Sequence, residues 1–197
     1  MTTSMRCVIP ILIVVVAAGC SLTGDDDGTA TISRKELSRL VLLRGDLPRV
    51  FVQFDGGPQG RADLPPGERS DPSRFGREAG WKSRFRRPGS ATTRGPLVIE
   101  SRADLFDSSD GARQDLDALE MSGFSEEEPP PNLGDEGRAL ATPEGPAQTV
   151  RYFLIAWRDE NLLATILVSG FQGKISFTDA STLAQKMQAR IGRAASS

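Results

Sequence analysis

The chain has 197 residues with 24 basic and 26 acidic side chains, no histidine and two cysteines. Without histidine there is no Ser-His-Asp triad, no imidazole base and no His-ligated metal. Both cysteines, Cys7 and Cys20, lie in the first twenty residues, so the rest of the chain has no thiolate chemistry and no internal disulfide, and a net charge of −2 gives no general attraction for nucleic acid.

The N-terminus runs from a short basic segment ending at Arg6, through an apolar stretch from Val8 to Val16 broken only by Pro10, to Ala17-Ala18-Gly19 and Cys20. Val8 to Gly19 is about a dozen residues, short of the ~20 that a spanning helix needs. This order resembles the lipobox signal peptide of bacterial lipoproteins, with Ala17 standing where that family usually has leucine. The resemblance implies a signal peptide over residues 1–19, cleavage before Cys20, and a diacylglyceryl thioether (with a fatty acid such as palmitate) on its sulfur. It implies a location on the extracytoplasmic face of the cell membrane, or at the outer membrane in a two-membrane cell. Each buried CH₂ contributes ~0.8 kcal/mol, so two or three acyl chains hold such a protein at the bilayer. Loss of Arg6 leaves 23 basic against 26 acidic side chains, a mature charge of −3.

Residues 20–32, with Asp25-Asp26-Asp27, have the composition of a solvated tether. Residues 33–197 suit one α+β domain. Ser33 and Glu36 form a capping box ahead of Leu37, Leu40 and Val41 at helical spacing. An extended piece follows from Leu47 to Phe54. Residues 55–80 are dense in Gly and Pro, which predicts a disordered loop.

From Trp81 the pattern has period two. Trp81, Ser83 and Phe85 share one face, and Lys82, Arg84 and Arg86 share the other. A second strand covers Leu97 to Leu105. Ser108 or Ser109 caps a helix bearing Ala112, Leu116 and Leu119. Glu126 to Pro131 reads as a solvated break, and Gly137 to Thr142 as a short strand. Thr149–Trp157 and Leu162–Ser169 form a β-hairpin whose near-continuous apolar character predicts burial on both faces. A final helix from Thr178 has an inner stripe of Ala180, Leu183, Ala184, Met187 and Ile191. The expected architecture is one antiparallel sheet of four or five strands with helices mainly on one face. The element order, with Trp157 to Asn161 leading into an apolar strand, resembles the sensor-like and PsbP-like domains of exported lipoproteins from high-GC bacteria.

No catalytic residue, metal site or cofactor is assigned. Trp81, Arg84, Arg86 and Trp157 are the candidate ligand-binding residues: arginine forks hold anions, and aromatic rings stack on ligands. The plainer alternative is a strand with a solvated, charged face and a core tryptophan. The basic segment 74–102 and the acidic segment 104–136 are expected to neutralise each other across the fold. Asp107, Asp110, Asp115 and Asp117 are weighed as a carboxylate hydrolase site and set below a solvated helix face. The expected role is non-enzymatic binding of an envelope protein or a small, anionic ligand; a structural envelope subunit is the alternative, and the hydrolase ranks last.

Overall fold

The computed structural model describes residues 32–60, 63, 72–129, 132–145 and 149–195. The expected signal peptide and Cys20, the tether before Ile32, and much of the Gly- and Pro-rich segment lie outside the described residues.

The elements are α1 (Leu37–Leu40), β1 (Val52–Gln59), β2 (Arg77–Arg86), β3 (Val98–Phe106), α2 (Ser109–Asp117), β4 (Ser125–Glu127), β5 (Glu136–Ala141), β6 (Val150–Asp159), β7 (Leu162–Phe171) and α3 (Phe177–Ala195). The seven strands make one antiparallel sheet in the order β1-β2-β3-β7-β6-β5-β4. This corrects the expected four or five strands. The two additions are the edges. β1 continues through Asp55 to Gln59 despite Gly56, Gly57 and Pro58, and β4 (Ser125–Glu127) takes its last two residues from the supposed acidic break. Edge strands tolerate Gly, Pro and charge because they pair on one side only, so their sequences lack the alternation that marks a strand.

Two of the three helices lie on one face of the sheet and the third on the other. On the first sheet face, Ile99, Ile155, Trp157, Ile166 and Val168 pack under α1 and α3. All five residues of the predicted α3 stripe are buried there. On the second face, Leu154, Ala156 and Leu163 pack under Ala112, Leu116 and Leu119 of α2. β6 and β7 are therefore covered on both sides, as their continuous apolar runs require. Each fully buried Leu, Ile or Phe contributes about 1.5–3 kcal/mol, and these two strands contribute to the core on both faces.

The local signals explain the joints. Ser108 accepts a hydrogen bond from the Gly111 amide at 3.1 Å and caps α2. Glu36 accepts from the Ser33 amide and hydroxyl, both at 3.0 Å, but the helix behind it is a single turn. The β6–β7 turn places Glu160 in the left-handed region at φ 52°. Its amide is held by Asp135 at 3.0 Å, while Asn161 donates to the Phe106 carbonyl at 2.9 Å.

Candidate functional site

The antiparallel register sorts the second face into rows. The row nearest the β2–β3 connection is Val52, Arg86, Val98, Ser169 and Tyr152. The next is Asp55, Arg84, Glu100, Leu167 and Leu154, followed by Gly57, Lys82, Arg102, Thr165 and Ala156. α2 packs on β3, β6 and β7 toward the far end of these rows. The row nearest the β2–β3 connection is left open, and Val52 to Tyr152 spans four strand spacings, about 19 Å.

Charge on this face grades from buried to exposed. At the covered end the Arg77 side chain is fully buried and donates to Asp104 from Nε at 3.0 Å and from Nη2 at 2.6 Å. Gly80 is required here, because a Cβ would collide with Asp104 Oδ1. Arg102 lies 3.5 Å from Asp104 and 4.0 Å from Glu100. Arg84 then reaches Glu100 at 2.9 Å and Asp55 at 3.5 Å, and Lys82 reaches Asp55 at 2.9 Å. Four cations and three carboxylates thus alternate along a chain that starts in the interior and ends at the surface. A buried pair of this kind is costly to break because the orphaned charge stays desolvated.

Burial pushes the Glu100 carboxyl above its ordinary range; the positive charges of Arg102, Arg84 and Lys82 pull it back only in part. Asp55, at the exposed end, is lowered, chiefly by its hydrogen bond from Lys82.

Beyond this chain the character changes. Phe54 is the extra residue of a β-bulge between Gln53 and Asp55. Two guanidinium groups lie over its ring, Arg84 at 4.9 Å and Arg86 at 5.2 Å from the centroid. Among the described residues, Arg86 makes no ion pair with a carboxylate. Val52, Phe54 and Tyr152 are exposed on the same face.

The four predicted site residues do not form one group. Arg84 and Arg86 are on the second face. Trp81 is half-buried against the first-face core, and Trp157 is fully buried there with its indole N–H on Gln188 Oε1 at 2.6 Å. The sheet itself separates the tryptophans from the arginines. Sequence reading named none of Val52, Phe54 and Asp55 as site residues; the first two lie in the expected extended piece from Leu47 to Phe54, which continues as β1 to Gln59.

The charge expectation also changes. Beside the basic strand, Arg113, Arg138, Arg151 and Arg158 pair with carboxylates of the acidic segment. Asp104 joins the two segments through Arg77 and Arg102. Asp110 and Asp117 share Arg113, at 3.0 and 3.6 Å, on the exposed side of α2, and Asp115 is buried on the other side. On the first-face side, a cavity of about 310 Å³ opens beside α3, with Phe51, Ile99 and Leu183 in its wall and Arg87 and Lys186 at its rim. Arg87 stacks on Phe51 at 5.2 Å.

No family model matches the chain, and no curated protein matches it. Among solved structures it is similar to the crystal structure of the extracellular domain of PknH from Mycobacterium tuberculosis, with a TM-score of 0.61 over 84% of this chain and 100% of that one. The two sequences are 14% identical, so the likeness is one of fold: this chain folds as that extracellular domain does.

Proposed function

We propose that the chain is a lipid-anchored extracytoplasmic protein with a non-enzymatic role, binding a partner or small ligand at the cell envelope through the open row of its second sheet face. The observation that carries the reading is the bare corner at Val52, Phe54 and Arg86, where exposed apolar side chains adjoin a guanidinium with no carboxylate. A protein interior would cover such a surface, and monomers seldom leave one without use. The lipobox residues Ala18, Gly19 and Cys20 support the address, as does the fold shared with an extracellular domain. No helix among the described residues is long and apolar enough to cross a membrane, which is compatible with attachment by lipid.

A structural role in a larger envelope complex is the second reading, favoured by the exposure of Val50 and Val52 at the start of an edge strand. Cell fractionation tests the shared premise. Cys20→Ser should release the protein from membranes or leave its signal peptide uncleaved. Membrane retention of that variant together with cleavage after Gly19 would refute the lipid anchor.

A further inference from the structure

We propose that the β1 flank of the domain docks on the anionic surface of a lipid bilayer, so that the anchored protein lies on this edge. The proposal rests on the anchored reading above and names the surface that the corner meets.

The apolar part is concentrated. Of the five exposed large hydrophobic residues among those described, Val50, Val52 and Phe54 fall at alternate positions of one stretch. Cations adjoin it, with Arg86 over the Phe54 ring and Arg49 next to Val50 in the chain. Arg49, Arg86 and Arg94 pair with no carboxylate among the described residues, and Arg44 braces the preceding turn by donating to the carbonyls of Leu47, Pro48 and Arg49. Basic side chains interleaved with small apolar wedges suit an interface of phosphate headgroups over acyl chains.

Global charge points the same way. The described residues of 32–102 hold thirteen Arg and Lys against six Asp and Glu, whereas those of 104–160 hold four against fourteen. Because the sheet order puts β1, β2 and β3 on one side of β7 and β4, β5 and β6 on the other, this segregation in sequence becomes polarity in space. An anionic plane attracts the β1 edge and repels the β4 edge.

Strand addition by a protein partner fits less well. The β1 edge is interrupted by the bulge at Phe54, by Gly57 at φ 146° and by Pro58, all features that blunt an edge against pairing. The anchor can also reach. Arg34 lies 3.7 Å from Glu78, so the chain enters the domain near the start of β2, at the end opposite Arg86. The twelve residues from Cys20 to Thr31 extend to about 40 Å, more than the ~33 Å length of a ten-residue strand. Both ends of that edge can therefore meet one membrane.

The test uses the full-length lipidated protein reconstituted in vesicles carrying a lipid-borne quencher, with an environment-sensitive probe at Val52→Cys or, as control, at Ser125→Cys on β4. In vesicles rich in anionic phospholipid, the Val52 probe should be quenched several-fold more than the Ser125 probe. The difference should vanish in neutral vesicles and in high salt. Each arginine near an anionic surface strengthens binding by about fivefold, so Arg49→Gln with Arg86→Gln should weaken docking about thirtyfold. Equal quenching at the two positions, or quenching indifferent to vesicle charge, would overturn the proposal. So would shielding of Val52 that requires added envelope proteins, which would assign the corner to a protein partner. If the chain fails to stay with neutral vesicles, the anchor reading fails instead; sedimentation of the same chain with anionic vesicles then decides docking, which requires binding there with a thirtyfold loss in the arginine variant and is contradicted by no binding or by no loss.

Discussion

Glu100 shows how a charge can be retained in an interior without being at ease there. It faces Arg84 at 2.9 Å and Arg102 at 4.0 Å, yet desolvation outweighs both and raises its pKa. The sign for stability follows. A raised carboxyl favours the fold most below the ordinary glutamate range, and this contribution is lost as pH rises through the raised value. Asp55 has the opposite sign: its lowered pKa supports the fold above the ordinary aspartate range, and the support is lost as pH falls through the lowered value. A carboxyl-carbon NMR titration should find the Glu100 midpoint above 4.5, and Arg84→Gln should raise it further by removing a lowering charge. A midpoint at or below 4.5 in the native chain would contradict this account. At this scale the sequence was partly legible. Period-two alternation already placed Trp81 opposite Arg84 and Arg86, so it spoke against grouping them as one site. The burial of Arg77, Arg102 and Asp104 was not legible, because a charged strand face reads as solvated unless the covering element is known.

The elements differ in how strongly their sequences announce them. α3, β6 and β7 are long, periodic and central, and their inner residues were readable as written. β1 and β4 were not, since an edge strand pairs on one side and its composition answers to solvent as much as to the sheet. The connection of α1 to the sheet is another hidden feature. The Ser83 hydroxyl donates to the Leu42 carbonyl at 2.7 Å, and the Leu42 amide donates to the Ser101 hydroxyl at 3.0 Å. Two serines on neighbouring strands thus satisfy both backbone polar groups of one buried residue, Leu42, and fix the segment after α1 across the core. Nothing in the spacing of Ser83, Ser101 and Leu42 signals the clamp. Ser83→Ala should cost about 1–3 kcal/mol in a denaturant melt, because the Leu42 carbonyl is left buried without that donor. A change within error would mean that the clamp contributes nothing net.

At the scale of the molecule, one pattern connects sequence to surface. Basic and acidic residues are segregated along the chain, and the sheet order lays the two blocks on opposite flanks. Such polarity does little for the core. Its effect is on orientation and encounter, falling with ionic strength over a Debye length of about 8–10 Å near physiological salt. A lipid on Cys20 would give that polarity a reference plane, with one flank turned toward the bilayer and the other away. The fold, shared with an extracellular domain at 14% identity, supplies a rigid frame for the exposed corner at Val52, Phe54 and Arg86. Everything proposed for that corner depends on where the mature chain begins. The most direct measurement is mass spectrometry of the N-terminal peptide of the protein extracted from native membranes. The account predicts a peptide beginning at Cys20 with a diacylglyceryl thioether on its sulfur. A peptide that begins elsewhere, or that carries Cys20 as a free thiol, would contradict it.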